Sequence, residues 1–265
     1  MKPLKNVAVF SNVRPRDQEV AGCLRSALKE AGLCPDREPY DLIISVGGDG
    51  TFLESVRRYG HLGVPLAGIN TGSLGFLQEN TPQDAECLVG ALASGDYHLE
   101  SFPLLRVRSE PGAAVTWAFN DVVVERFQTR MLHLEVSIDG GRNLEVVGDG
   151  LIVSTAAGST AYAAAAGGPY IDPAVPVMQL VPISPHPTQV YRSLAKPVVV
   201  GAESRLRIRA RPDKPRDFRV VVDGAEWTRD QPSYLDILGS GGSLQVLRRE
   251  NRPFCERLAD KFLGR

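Results

Sequence analysis

Closely spaced cysteines are missing from this sequence. Cys23, Cys34, Cys87 and Cys255 lie far apart, with no Cys-x-x-Cys pair among them. That excludes a dense disulfide framework or a cysteine-based zinc site, and the expectation is reduced thiols in a cytoplasmic protein. His61, His98, His133 and His186 are equally scattered, so no local run can cage a metal. Long apolar runs are missing too. Strings such as Leu151-Ile-Val-Ser154 and Pro197-Val-Val-Val200 fall far short of a membrane span. The stretch from Met1 to Phe10 lacks the apolar core of a signal peptide and reads directly as a strand. Nor is there an excess of either charge. A formal net charge of -1 argues against a surface built for nucleic acid or anionic lipid.

What remains is 265 residues of ordinary globular composition, 43% hydrophobic and 23% charged, long enough for one large domain or two modest ones. Over the first hundred residues strands alternate with helices. Residues 6–10 form a short apolar strand. Residues 16–31 place Val20, Leu24, Ala27, Leu28 and Ala31 at helical spacing, with Gly32 in the position of a C-terminal stop. Residues 42–46 read as a buried strand, 51–59 as a helix and 64–69 as the next strand. Thr81-Pro82-Gln-Asp84 carries an N-cap, a first-turn proline and a first-turn acid. The alternation implies a mostly parallel sheet covered on both faces.

After residue 100 the period changes. Strand-like runs at 104–108, 115–126, 132–138, 144–147 and 151–154 are broken by turn signals such as Glu110-Pro-Gly and Asp139-Gly-Gly. The same texture returns over 198–247, with turns at Pro212-Asp-Lys-Pro215, Asp223-Gly224 and Gly239-Ser-Gly-Gly242, and 253–263 reads as a closing helix. The expected architecture is an α/β domain over 1–100, joined by a C-terminal helix within 249–265, and a β-rich, sandwich-like domain over 101–248.

Four strings carry the chemistry. Gly47-Gly-Asp-Gly-Thr51 lies between a strand and a helix, where backbone N–H groups and the helix dipole favour phosphate. Asp49 puts one carboxylate at the strand's carboxyl end, and no Gly-Lys-Ser/Thr follows to make a Walker A loop. Gly68-Ile-Asn-Thr-Gly-Ser-Leu-Gly-Phe-Leu77 is a second glycine-rich loop, whose Phe76 can pack on a flat ring. Asn120-Asp121 supplies a donor and several acceptors from within a strand-like run. Gly148-Asp149-Gly leads through a strand to Gly158-Ser-Thr-Ala-Tyr162 and an alanine-rich helix, where small side chains let a ligand approach the backbone. Each string alone also fits a plain turn, a packed helix or a wet strand face. Arg205, Arg207, Arg209 and Arg211 alternate with Leu206, Ile208 and Ala210, the pattern of a strand with one solvated face.

In this order and spacing, and with Val181-Pro-Ile-Ser-Pro-His186 and Val222-Asp-Gly224, the strings resemble the NAD kinase family over residues 41–224. The resemblance implies transfer of the γ-phosphoryl group of ATP, or of polyphosphate, to the 2′-hydroxyl of the NAD adenosine ribose, with a divalent metal, Mg2+. It implies that Asp49 takes or directs the hydroxyl proton. Gly47, Gly48, Gly50 and Thr51 would meet the phosphates, with Asp49 and Gly50 also touching NAD. Phe76, Asn120, Asp121, Thr160, Ala161 and Tyr162 would hold adenosine, and Asp149, Ala165 and Ser184 the nicotinamide half. The family places this site between two domains, closed by a neighbouring subunit of a homodimer or homotetramer.

Three positions depart from the family pattern. Asp121 stands where many members carry Glu, Val147 where some carry Arg, and Ala165 where some carry Ser. The Val147 departure bears on the choice between NAD and NADH. Two other readings of the glycine loop stay open at this point: a lipid kinase of the Gly-Gly-Asp-Gly-Thr type and a non-catalytic NAD(P)-binding sensor.

Overall fold

The computed structural model describes residues 4–72, 75–110, 115–187, 193–228 and 232–262. Ser73 and Leu74 of the second glycine-rich string, the Pro111-Gly112 turn and Leu263 of the expected closing helix lie outside them. The chain divides into two compact units, one of residues 1–101 with 244–265, the other of residues 102–243.

The first unit begins with β1 (Asn6–Ser11), α1 (Pro15–Glu30), the short β2 (Cys34–Pro35), β3 (Leu42–Gly47), α2 (Asp49–Tyr59), β4 (Leu66–Asn70) and α3 (Ala85–Ser94). Its strands lie in the order β2-β1-β3-β4, all parallel. β3 is buried on both faces, which is why its sequence is continuously apolar and not alternating. Leu42, Ile44 and Val46 point into a cluster with Leu24, Leu28 and Leu88. Alternation sends Ile43 and Ser45 to the other face. A single-turn 3-10 segment over Pro82–Asp84 precedes α3, and Thr81 and Asp84 form the reciprocal capping box.

The second unit is almost entirely strand. It contains β5 (His98–Ser109, which begins in the first unit), β6 (Val115–Ala118), β7 (Asp121–Arg126), β8 (Leu132–Ile138), β9 (Leu144–Gly148) and β10 (Gly150–Thr155). After the one-turn α4 (Tyr162–Ala165) come β11 (Val177–Ile183), β12 (Val198–Gly201), β13 (Arg205–Ala210), β14 (Phe218–Val222), β15 (Ala225–Thr228) and β16 (Leu235–Arg248). One sheet is antiparallel in the order β12-β11-β10-β7-β14-β15. The other runs β16-β13-β8-β9, with β5 beside β16 and β6 beside β5. Alternating residues of both sheets, among them Val122, Val124, Leu151, Leu134, Leu206 and Ile237, interdigitate as a sandwich core. On the far side of the first sheet a smaller cluster of Val123, Ile152, Ala163 and Val181 seats α4.

Several elements differ from the sequence reading, among them the expected turn at Gly239-Ser-Gly-Gly242, which lies inside the continuous strand β16. The run 115–126 is not one strand, since it breaks at Phe119-Asn120 between β6 and β7. The alanine-rich helix is a 3-10 turn over Ala157–Thr160 followed by a single α-turn, because Gly167, in a left-handed conformation, and Pro169 stop it.

β16 leaves the second unit and finishes in the first, where Val246 pairs in parallel with Leu66 of β4. α5 (Phe254–Phe262) follows. At the end of β16 the buried Arg248 donates from Nε to Glu100 Oε2 (2.9 Å) and from Nη1 to the Leu77 carbonyl (2.9 Å). Arg248→Met would leave that buried carbonyl and Glu100 without the guanidinium. It is expected to cost ~2–4 kcal/mol in the first unit, read as faster amide hydrogen exchange across β3 and β4. Unchanged protection would mean that the ion pair does not brace this unit.

Candidate functional site

In the first unit the two glycine-rich loops leave the carboxyl ends of adjacent parallel strands. Gly47 ends β3, Asn70 ends β4, and the two residues are register partners. In an open α/β sheet this is the edge where ligands bind. The loops are stitched together there. The Gly47 carbonyl accepts from the Thr71 N–H (3.2 Å) and from Gln78 Nε2 (3.1 Å). Asn80 Nδ2 donates to the Gly68 carbonyl (3.0 Å), and Thr71 Oγ1 donates to Asp17 Oδ1 (2.6 Å).

Asp49 is the first residue of α2, two positions earlier than the helix read from the sequence, so its carboxylate sits at the positive end of the helix dipole. Both oxygens are held by the second loop. The Phe76 N–H donates to Oδ2 (3.1 Å) and the Leu77 N–H to Oδ1 (3.4 Å). This closeness depends on Gly75, where a Cβ would overlap the Asp49 carboxylate. Gly48 and Gly50 leave open space above the first turn, and Thr51 is buried beneath it. The Phe76 ring packs against Phe254 and Phe262 of α5, at centroid distances of 6.3 and 6.1 Å, with Lys261 Nζ 4.7 Å above it.

In the second unit the break at Phe119-Asn120 is held open by Asp223, which the sequence reading marked as a turn residue and as part of a family string but gave no role. Asp223, in a left-handed conformation at the start of the β14–β15 hairpin, is buried. Its carboxylate accepts the N–H groups of Phe119 (2.7 Å), Asn120 (2.7 Å) and Asp121 (3.1 Å). From the other side, Thr155 Oγ1 donates to the Phe119 carbonyl (2.7 Å) and accepts the Gly158 N–H (2.9 Å). Gly158 lies so close that any Cβ would overlap the Asn120 carbonyl, which explains the glycine of Gly158-Ser-Thr. Family likeness alone marked Val222-Asp-Gly224. Locally, Asp223-Gly224 offers no signal beyond that of a turn.

Asn120 and Asp121 are 8% and 5% exposed, too buried for a wet strand face. Among the described residues Asn120 Oδ1 is buried without a hydrogen-bond partner, an arrangement that costs free energy unless a ligand supplies the donor. Burial, aided by the neighbouring Asp223 charge, pushes the Asp121 carboxyl up to about 7. Tyr162 stands exposed at the start of α4. Its own desolvation, then the charges of Glu125, Asp121 and Asp149, push its hydroxyl above the ordinary tyrosine range. Asp149 is paired with Arg126 (2.9 Å), so a guanidinium faces it although residue 147 is a buried valine. Thr160 and Ala161 form the bend into α4, Ala165 is exposed at its end, and Ser184 is exposed just past β11 in a left-handed conformation. The second unit thus brings Asn120, Asp121, Asp149 and Tyr162 into one polar neighbourhood.

The raised Asp121 carboxyl has a definite consequence for stability. A carboxyl that holds its proton more tightly folded than unfolded stabilises fully below the ordinary aspartate range, and that contribution is lost as pH rises through about 7. Thermal unfolding of the ligand-free protein is expected to fall between pH 5 and 8, and Asp121→Asn to flatten the dependence. An equally steep profile in the variant would show that another group carries it.

The arrangement can bind an anion at the α2 end in the first unit and hold a donor-rich polar ring system in the second. The ATP-NAD kinase N-terminal domain model matches residues 8–97 and the C-terminal domain model residues 119–248. An NAD kinase of Bacteroides fragilis is 31% identical over 84% of this chain and 76% of its own length. One of Lysinibacillus sphaericus is 30% identical over 97% and 98%. Among solved structures, an NAD kinase from Archaeoglobus fulgidus in complex with ATP superposes with a TM-score of 0.77 at 26% identity, covering 98% of each chain. Yeast NADH kinase complexed with NADH does so with a TM-score of 0.84 at 22% identity, covering all of this chain and 89% of that one. A lipid kinase sharing only the first glycine loop would match neither the second domain model nor relatives along nearly the whole length. With both domain models in sequence order and each polar string built into its own unit, the chain belongs to the NAD kinase family, whose members are phosphotransferases.

Proposed function

We propose that this chain transfers the γ-phosphoryl group of ATP to the 2′-hydroxyl of the adenosine ribose of NAD, releasing NADP and ADP. The observation that carries the reading is the buried Asn120 Oδ1, which has no partner among the described residues beside an equally buried carboxyl. An adenine amino group supplies the missing donor, and Asn120 Nδ2 can donate in return to a ring nitrogen. Asp121 accepts from the ribose, and the hydroxyl of Tyr162, with Thr160 and Ala161 at the bend, lines the same nucleoside. Phe76 adds ring contact to the adenosine. Asp149, with Arg126 against it, Ala165 and Ser184 serve the nicotinamide half.

In the transfer the 2′-oxygen attacks the γ-phosphorus as the bond to the bridging oxygen of ADP breaks, and the electron pair leaves with ADP. The hydroxyl proton passes to the Asp49 carboxylate, which the Phe76 and Leu77 N–H groups aim. Proton transfer is the smaller part of the barrier. Most of it is met by in-line positioning and by neutralising charge on the phosphoryl oxygens, to which Gly47, Gly48, Gly50 and the first turn of α2 bring backbone donors.

Among the described residues no group of three or more His, Cys, Asp or Glu side chains could hold a metal ion. Mg2+ therefore fits here as part of the nucleotide substrate, held chiefly by phosphate oxygens with one carboxylate, as that ion commonly is. Polyphosphate would meet the same backbone donors. Among the described residues no helix is long and apolar enough to cross a membrane, and the four cysteines are free. We place the enzyme in the cytoplasm, as a homodimer or homotetramer.

Purified protein with Mg2+, ATP and NAD should form NADP, read through an NADP-specific dehydrogenase. Asp49→Asn should lower turnover by about a hundredfold or more while NAD still binds. Turnover that survives the substitution would remove Asp49 from its role. NAD binding without turnover under any donor would favour a sensor. Parallel reactions with NADH and polyphosphate rank acceptor and donor.

A further inference from the structure

The arginine-rich strand has a second aspect on the outer face of the second unit, where none of the proposed kinase residues lies. A cleft of about 250 Å3 there is lined by Arg106 and Arg108 of β5, Arg205 and Arg207 of β13, and Tyr234 and Asp236 at the start of β16. Elsewhere on β13 the guanidinium groups are neutralised. Arg209 pairs with Glu135 (2.7 Å), and Arg211 with Glu145 (2.7 Å) and Asp213 (2.6 Å). In the cleft only Arg207 is, by a two-pronged pair with Asp236 at 2.7 and 2.9 Å.

Arg106, Arg108 and Arg205 have no carboxylate partner among the described residues. The nearby Asp139 spends one oxygen on the backbone N–H of Arg205 (2.7 Å). Arg108 Nε is buried without an acceptor, again among the described residues. Two of the arginines are held by aromatic rings and not by water alone. The Arg207 guanidinium lies 4.3 Å from the Tyr234 centroid and that of Arg106 lies 5.9 Å from Trp117.

Gathering like charges around a concavity is unfavourable until an anion enters, and this chain has no general surplus of positive charge to explain the gathering. Planar forks of N–H donors, pre-oriented by ring stacking and strand pairing, suit tetrahedral oxyanions with several oxygens on each centre. We propose that this cleft is a second anion site, which takes the phosphate chain of an oligophosphate. The alternation read from the sequence is present, with Arg205, Arg207 and Arg209 exposed and Leu206 and Ile208 buried, and the proposal adds a ligand to that solvated face.

Trp117 reports on the site directly. The chain has two tryptophans, so in Trp227→Phe protein Trp117 is the single indole emitter. Inorganic tripolyphosphate should change its fluorescence saturably, more weakly at about 0.5 M than at about 0.05 M salt. Arg106→Gln with Arg205→Gln, both exposed and so compatible with folding, should weaken the response by about tenfold or more. Unchanged thermal unfolding verifies that the variant is folded. ATP in a parallel titration should act like tripolyphosphate. A response to ATP alone would overturn the assignment to the phosphate chain. No response to either, or equal affinity in the double variant, would overturn the site.

Discussion

Asp223 reaches back from the β14–β15 turn and accepts three consecutive backbone N–H groups, and the polar neighbourhood of the second unit depends on that bond set. Without it, Phe119, Asn120 and Asp121 would carry buried donors with no acceptor, a penalty large enough to pull the chain back into a continuous strand. With it, the strand is interrupted, Asn120 turns its amide inward, and Asp121 is buried beside a second carboxyl. Burial first, and then that neighbouring charge, raise the proton affinity of Asp121. Geometry and electrostatics of this site therefore share one cause.

The first unit solves a similar problem in the opposite sense. There the Asp49 carboxylate is the acceptor, and the donors belong to a loop that has to be kept in place. Gly75 lets the loop approach, and Arg248 fastens the far side of the Leu77 peptide. In both units the glycines matter through missing atoms. Where a side chain would begin, a carboxylate or a carbonyl already stands.

How much of this was legible in the sequence varies with the range of the interactions. The strand–helix alternation and the capping box at Thr81 and Asp84 are local, and the residues display them openly. Buried β3 announced itself as an unbroken apolar run. The break at Phe119-Asn120 was invisible because its cause lies a hundred residues downstream, and Asp223 there looks like any aspartate before a turn glycine. The alanine-rich segment misled through propensity, since its glycines allow only one helical turn. Val147, read as the loss of a charge near Asp149, is compensated by Arg126 from another strand, which no local pattern could reveal. The chemistry itself was legible only through the ordered likeness to a family. The residues alone led as far as a phosphate-seeking α/β unit with one well-placed acid.

The path of β16 carries a consequence for how the molecule is made. The second unit is one unbroken segment of chain, whereas the first is assembled from both ends of it. A ribosome releasing this chain has presented every residue of the second unit before Val246 can pair with Leu66. The sandwich is free to close first, while the parallel sheet waits with an unpaired edge and its apolar β4 in need of a neighbour. The strand that pairs with β4 thus completes that pairing only after the second unit has emerged. The loop that holds the Asp49 carboxylate acquires its fastening from Arg248 only after the whole second unit has been made.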